Sequence, residues 1–330
     1  MFLQTNPEPL HVWEHIIYEI SFLAGIAKAN GSLLSLKDLV ALTRTSLSEE
    51  QLMSWWAITP ELAGFYELKN GLIIERGKDY PGSSPRILDR EQEKRARAES
   101  YARYAREFAS FCTGQETKLI AISGSTSYHT TSAADDLDIF CITKPDHLWL
   151  FLTKSLLLAR FLQIFRRSEP RICFSYAVDQ NFVINEFLPA RDPLFARDAL
   201  TTIVVHGQEF YEELLKKSSW ISNYFPRLYQ QRTNAVHSEP ARERIASGPS
   251  RRFLNTLLRV LVGNYIAFKS AMLNRRLRKQ GKFSSLFKAR IGPDHCIFES
   301  VRYSKLRDMY LKLNDTSSSI QRGETLPTRR

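Results

Sequence analysis

The sequence predicts an α+β protein, and three observations carry that expectation. Three segments of helical periodicity are followed by a turn-linked pair of short strands. A central stretch then alternates apolar strand-like runs, 118–123, 137–142 and 171–178, with one long helical pattern at 148–165. Beyond 190 helical patterns dominate. The expected layout is an N-terminal winged helix, a small mixed β-sheet core with flanking helices, and a helical C-terminal domain.

In residues 11–29, Trp13, Ile16, Ile17, Ile20, Leu23 and Ala27 recur at spacings of three and four, the apolar stripe of an amphipathic helix ending near Asn30-Gly31. A second helix is expected to start at Ser35, with Asp38 three residues on, and a third at Ser48, with Gln51 in the matching place. The stretch FYELKNGLIIERG then reads as a hairpin closed by Asn70-Gly71. Three helices and a hairpin give the order of a winged helix over 1–85. A DNA-reading third helix offers cations to phosphates, whereas SEEQLMSWWAI holds Glu49 and Glu50 and no Lys or Arg, so DNA is not the expected partner. Residues 86–114 read as a charged spacer helix with one apolar edge at Ala96, Tyr101, Tyr104 and Phe108.

The 330 residues are 43% hydrophobic and 25% charged, which excludes collagen-like and wholly disordered chains. The four cysteines, Cys112, Cys141, Cys173 and Cys296, lie far apart and form no CxxC pair; a reducing cytoplasm is the expected setting. The N-terminal residues show no basic segment leading into an apolar one, so no secretory signal is expected. The apolar stretches 148–165 and 253–273 carry Lys154, Arg160, Arg259 and Lys269 and read as helices packed inside a soluble protein.

The chemistry is expected within 115–190. KLIAIS runs straight into Gly124-Ser125, and a strand that turns there into a helix presents backbone N–H groups and a hydroxyl to phosphate oxygens. Asp136 and Asp138 lie two apart at the head of the next strand, so both carboxylates share one face while Leu137 and Ile139 enter the core. Such hard oxygen donors suit Mg²⁺ bridging the phosphates of a nucleoside triphosphate. Asp135, on the opposite face, reads as a turn residue, and His129 as a partly exposed structural one.

An apolar strand, Gly124-Ser125, ten residues and Asp136-Leu137-Asp138 running into a second apolar strand together resemble the DNA polymerase β-like nucleotidyltransferase superfamily. The motif covers about 25 residues. More diffusely, the order of winged helix, charged helix, core and helical half resembles stand-alone prokaryotic nucleotidyltransferase-domain proteins, in RICFSYAVDQNFV, FYEELLKKSSWISNYFP and ESVRYSKLRDMY. The resemblance implies transfer of a nucleoside monophosphate from a triphosphate to a hydroxyl, with two Mg²⁺ held by Asp136 and Asp138. It also implies a third carboxylate on a later strand. Asp179, at the end of RICFSYAV, is the candidate and Glu186 the reserve. The alternative is a winged-helix regulator whose central domain senses a nucleotide without transferring it.

The helical C-terminal domain is expected over 191–314, with helices at 194–205 and 210–225, a connecting loop at about 229–250, and a disordered tail at 315–330. Residues 251–290 hold eleven Lys and Arg and no acid, which equals the whole chain's net charge of +11. This basic segment is a candidate surface for RNA or tRNA, and the alternative reading is a solvated basic helix end that steers nucleoside triphosphate by long-range attraction. A membrane partner is not expected, because the apolar face of the helix is assigned to the core.

Overall fold

A computed structural model describes residues 10–29, 32–44, 48–76, 86–166, 169–234 and 249–321. The chain is α+β and contains a mixed sheet. It opens with α1 (Leu10–Ala29), β1 (Leu34–Ser35), α2 (Leu36–Leu42), α3 (Glu49–Ile58) and α4 (Pro60–Phe65), followed by β2 (Tyr66–Lys69) and β3 (Leu72–Glu75). Local chemistry sets these boundaries. The Ser35 hydroxyl accepts the Asp38 N–H to start α2, and Ser48 and Gln51 cap α3 reciprocally. Asn70 and Gly71 both take positive φ, 52° and 73°, which joins β2 to β3 as a tight hairpin. The strands pair in the order β1-β3-β2, and Leu39, Leu52, Trp55, Trp56, Leu62 and Ile73 pack with Ile16, Ile20 and Leu23 of α1.

The larger sheet is built from α5 (Arg86–Cys112), β4 (Thr117–Ile122), α6 (Gly124–Ser127), β5 (Leu137–Thr143), α7 (Leu148–Phe165) and β6 (Ile172–Asp179). The turn α8 (Gln180–Phe182) continues as a π-helical turn over Val183–Phe187. Then follow α9 (Pro193–Thr201), β7 (Ile203–His206), α10 (Gln208–Lys217), α11 (Pro226–Thr233), α12 (Pro249–Lys279), β8 (Phe287–Ile291), β9 (His295–Ser300) and α13 (Val301–Gln321). The sheet order is β7-β4-β5-β6-β9-β8, antiparallel except for β5 and β6, which run parallel because α7 crosses between them.

Period-two alternation divides the apolar side chains between two layers. Ile120, Ile122, Leu137, Ile139 and Cys141 face Phe108 of α5 and Trp149 and Phe151 of α7. Leu119, Ala121, Ile142 and Val178 face α9, α13 and the N-terminal elements. Trp149 and Phe108 are wholly buried, and each contributes on the order of 2–3 kcal/mol to this layer.

Five expectations are corrected. Residues 86–114 are not a spacer, because Ala102, Ala105, Phe108, Ala109 and Cys112 of α5 are buried on the sheet. The C-terminal half is not purely helical, since it supplies β7, β8 and β9 to the sheet. The expected helix 194–205 ends at Thr201, where Thr202-Ile203-Val204-Val205 favours extended backbone. Residues 315–321 continue α13 rather than starting a tail, and the remaining tail, like much of the loop at 229–250, lies outside the described residues. Finally, the apolar face of α12 is not in the core: Phe253, Leu257, Val260, Leu261, Phe268 and Met272 are exposed.

Candidate functional site

The corner where β4 passes into α6 lies against the start of β5. Ser123, in extended conformation, donates its N–H to the Asp138 carbonyl at 3.0 Å. Gly124 then turns the chain with φ of 66°. A Cβ at this position would overlap the Asp138 carboxylate as placed, so glycine suits both the left-handed backbone and the close approach, and a larger residue would push that carboxylate aside. Because α6 is a single turn, its helix dipole adds little, and what the corner offers is backbone N–H groups beside the Ser125 hydroxyl.

The structure brings Gly124, Ser125, Asp136 and Asp138 to this corner. Asp138 sits on the face of β5 that carries Phe140 and Ile142, while Leu137 and Ile139 enter the opposite layer. Asp136 is exposed just before the strand. Burial pushes the Asp138 carboxyl up to about 7; Asp136 and Asp135 push it the same way, and a hydrogen bond with the Cys173 thiol opposes them. Asp136 is also raised, by the partial loss of solvent around its carboxyl and then by Asp135, against the pull of Arg171. Asp135 itself accepts the Ser132 N–H at 2.8 Å, a turn contact. His129 is exposed at φ of 55°.

Asp179 is elsewhere. In the parallel β5–β6 pair, Asp138 is opposite Cys173 and Asp179 is opposite Thr143, five residues further along β5. At a strand rise of about 3.3 Å this separates the two acids by roughly 16 Å. Asp179 is buried and accepts N–H groups from Asn181 at 2.9 Å, Phe182 at 3.1 Å and Asp146 at 3.3 Å. Burial moves its carboxyl up to about 6 in spite of those donors. It is the cap of the turn after β6, not a partner of Asp138, and Glu186 is exposed on that turn. Beside Asp138 the sheet presents Cys173, followed by Ser175, whose hydroxyl lies 3.5 Å from that of Ser123.

Among the described residues no group of three or more His, Cys, Asp or Glu side chains is placed to hold a metal ion. Two carboxylates two residues apart on one face of the strand, with Asp136 raising Asp138, still fit Mg²⁺, which is commonly held by one or two carboxylates with substrate phosphates and water completing its shell.

Sequence reasoning missed the supports of the corner. Arg97 of α5 reaches the Thr131 carbonyl at 3.3 Å. Tyr128 donates to the Asp198 carboxylate, and the Arg197 guanidinium lies 4.7 Å over the Tyr128 ring and 5.1 Å over that of Tyr310. Arg197 is buried and also donates to the Tyr310 hydroxyl at 2.9 Å, so the loop after Gly124 is held by α9 and α13. Nothing in PLFARDAL marks that arginine as buried.

No family model, curated protein or solved structure matches the chain.

Proposed function

We propose that this chain is a Mg²⁺-dependent nucleotidyltransferase that moves a nucleoside monophosphate from a triphosphate to a hydroxyl acceptor and releases pyrophosphate. The observation that carries the reading is the fit of the Asp138 carboxylate against the side-chain-less Gly124. It puts a phosphate-approachable backbone and a pair of hard acids at one corner. The strand–turn–strand course of β4, α6 and β5 and the parallel β6 support the likeness to the polymerase β-like superfamily. The capped helices and the β1-β3-β2 sheet likewise support a winged-helix module at the N-terminus.

In this reading the backbone at Gly124 and the Ser125 hydroxyl bind and orient the triphosphate, and Asp136 and Asp138 hold the cation. Bound Mg²⁺ would supply neutralisation of the charge that develops on the phosphates. Asp179 has no part in it. Two acids suffice for one ion, and the second ion inferred from the resemblance lacks its third carboxylate.

That gap favours one further reading, a nucleotide sensor that binds the triphosphate without transferring it, because Cys173 occupies the position on β6 next to Asp138. A DNA-binding role for the N-terminal module gains no support, since α3 opens with Glu49 and Glu50 and carries no cation.

The test is incubation with each α-³²P-labelled nucleoside triphosphate, Mg²⁺ and cell extract or total RNA. Label on an acceptor with the native chain and none with Asp136→Asn/Asp138→Asn supports transfer. Bound nucleotide without labelled acceptor supports the sensor, and equal labelling by both chains overturns the site.

A further inference from the structure

The exposed face of α12 is apolar along most of its length. At 100° per residue, Phe253, Leu257, Val260, Leu261, Phe268 and Met272 fall on one side of the helix. All six are exposed, Phe253 at 72% and Phe268 at 65%. The opposite side holds Asn255, Gly263, Ile266 and Ser270, all buried.

Two asparagines fix this orientation. The Asn255 side-chain oxygen accepts the backbone N–H of Trp149 at 2.8 Å and of Leu150 at 3.4 Å, at the start of α7. Asn274 pairs with both backbone groups of Phe287 on β8, at 2.6 and 3.1 Å. Rolling the apolar stripe inward would break both pairs and bury cations. The neighbouring α7 adds outward-facing Leu157, Phe161, Ile164 and Phe165 along its second half.

The same stretch, 251–290, carries eleven Lys and Arg and no acid. Arg251, Lys269 and Arg276 fall along one edge of the stripe, and Arg275, Arg278 and Lys279 cluster at its C-terminal end. An apolar stripe with cations along one edge and at its C-terminal end, in a segment without an acid, has a limited set of complements. A second copy docked face to face would set these six positive charges against another six with no acid from this segment between them. An RNA would meet the cations but leave Leu257, Val260, Leu261 and Met272 without an apolar partner.

We propose that this face docks on an anionic lipid bilayer. The helix, 31 residues and about 46 Å long, would lie in the headgroup plane with its apolar stripe at the acyl boundary and its cations on lipid phosphates. Its inner side stays bound to α7 and β8, so it lies on the membrane and does not cross it. The proposal stands apart from the nucleotide-transfer reading, because none of its residues belongs to the Gly124–Asp138 corner.

The test is co-sedimentation of the full chain with vesicles of phosphatidylcholine alone or with about 30% phosphatidylglycerol, at low and high salt. The expected result is at least about tenfold more bound protein on the anionic vesicles, falling as salt rises. Leu261→Glu/Phe268→Glu should abolish binding with an unchanged melting temperature, since both side chains are exposed. Arg275→Gln/Arg276→Gln/Arg278→Gln should keep the fold and lose the lipid-charge preference. Absence of vesicle binding by the native chain overturns the proposal. So does a concentration-dependent dimer that Leu261→Glu/Phe268→Glu converts to monomer while vesicles bind neither form. RNA retention without vesicle binding overturns it in favour of a nucleic-acid face.

Discussion

Asp138 and Asp179 stand toward opposite ends of one parallel strand pair, and their surroundings separate two uses of a carboxylate drawn out of water. Both are pushed up by burial, Asp138 to about 7 and Asp179 to about 6. At Asp179 three backbone N–H groups occupy the oxygens, so the acid ends a strand and starts a turn. At Asp138 the neighbours are two more acids, a thiol and a glycine shaped to admit the carboxylate. A carboxylate with its hydrogen bonds met by backbone is structural, whereas one packed among acids is relieved by a cation.

The largest expected effect that could break this contrast is on transfer. Asp136→Asn/Asp138→Asn should lower acceptor labelling by at least about 100-fold, the scale of losing several kcal/mol of phosphate neutralisation. Asp179→Asn should leave labelling per folded molecule within about threefold, because the amide oxygen still caps the turn. Equal losses in both variants would erase the distinction. Next in size, Gly124→Ala should cost about 1–2 kcal/mol of stability from the left-handed backbone alone, read by denaturant unfolding, and should weaken triphosphate binding further by displacing Asp138. Asp179→Ala should cost about 1–3 kcal/mol, since it leaves buried N–H groups without an acceptor, and should leave triphosphate affinity unchanged.

A smaller effect sharpens the contrast with a third acid. Glu19, buried in the N-terminal unit, is pushed up to about 7 by burial, against the pull of Arg44. One oxygen accepts the Arg44 backbone N–H at 3.2 Å, and the other has no hydrogen bond. A raised acid holds its proton longer in the folded state than in the unfolded one, so its contribution to stability falls as pH rises from about 4.5 through about 7. Glu19→Gln should therefore flatten the decline in melting temperature between pH 5 and pH 8 relative to the native chain. An unchanged slope would mean that Glu19 titrates normally.

What the sequence discloses follows how local the physics is. The caps at Ser35 and Ser48, the Asn70-Gly71 hairpin and the Gly124-Ser125 to Asp138 spacing are legible, because each is settled within about fifteen residues. The third carboxylate was not. Which of the eight residues of β6 meets Asp138 depends on a crossover through α7 and a register shift after Asp138, and neither leaves a local mark. The strands β8 and β9 were hidden by the charge of their neighbourhood, although Gly292-Pro293 between two alternating runs was the available signal. The outward roll of α12 was equally hidden, because Asn255 and Asn274 set it through partners more than a hundred residues away in one case and on a following strand in the other.

Calorimetric titration of Mg²⁺ with a nucleoside triphosphate into the native chain, Asp136→Asn/Asp138→Asn and Asp179→Asn tests the central claim most directly. Saturable, Mg²⁺-dependent binding by the native chain and by Asp179→Asn, lost in Asp136→Asn/Asp138→Asn, is the predicted result. Binding that survives loss of the Asp136/Asp138 pair, or that disappears with Asp179→Asn alone, would contradict it.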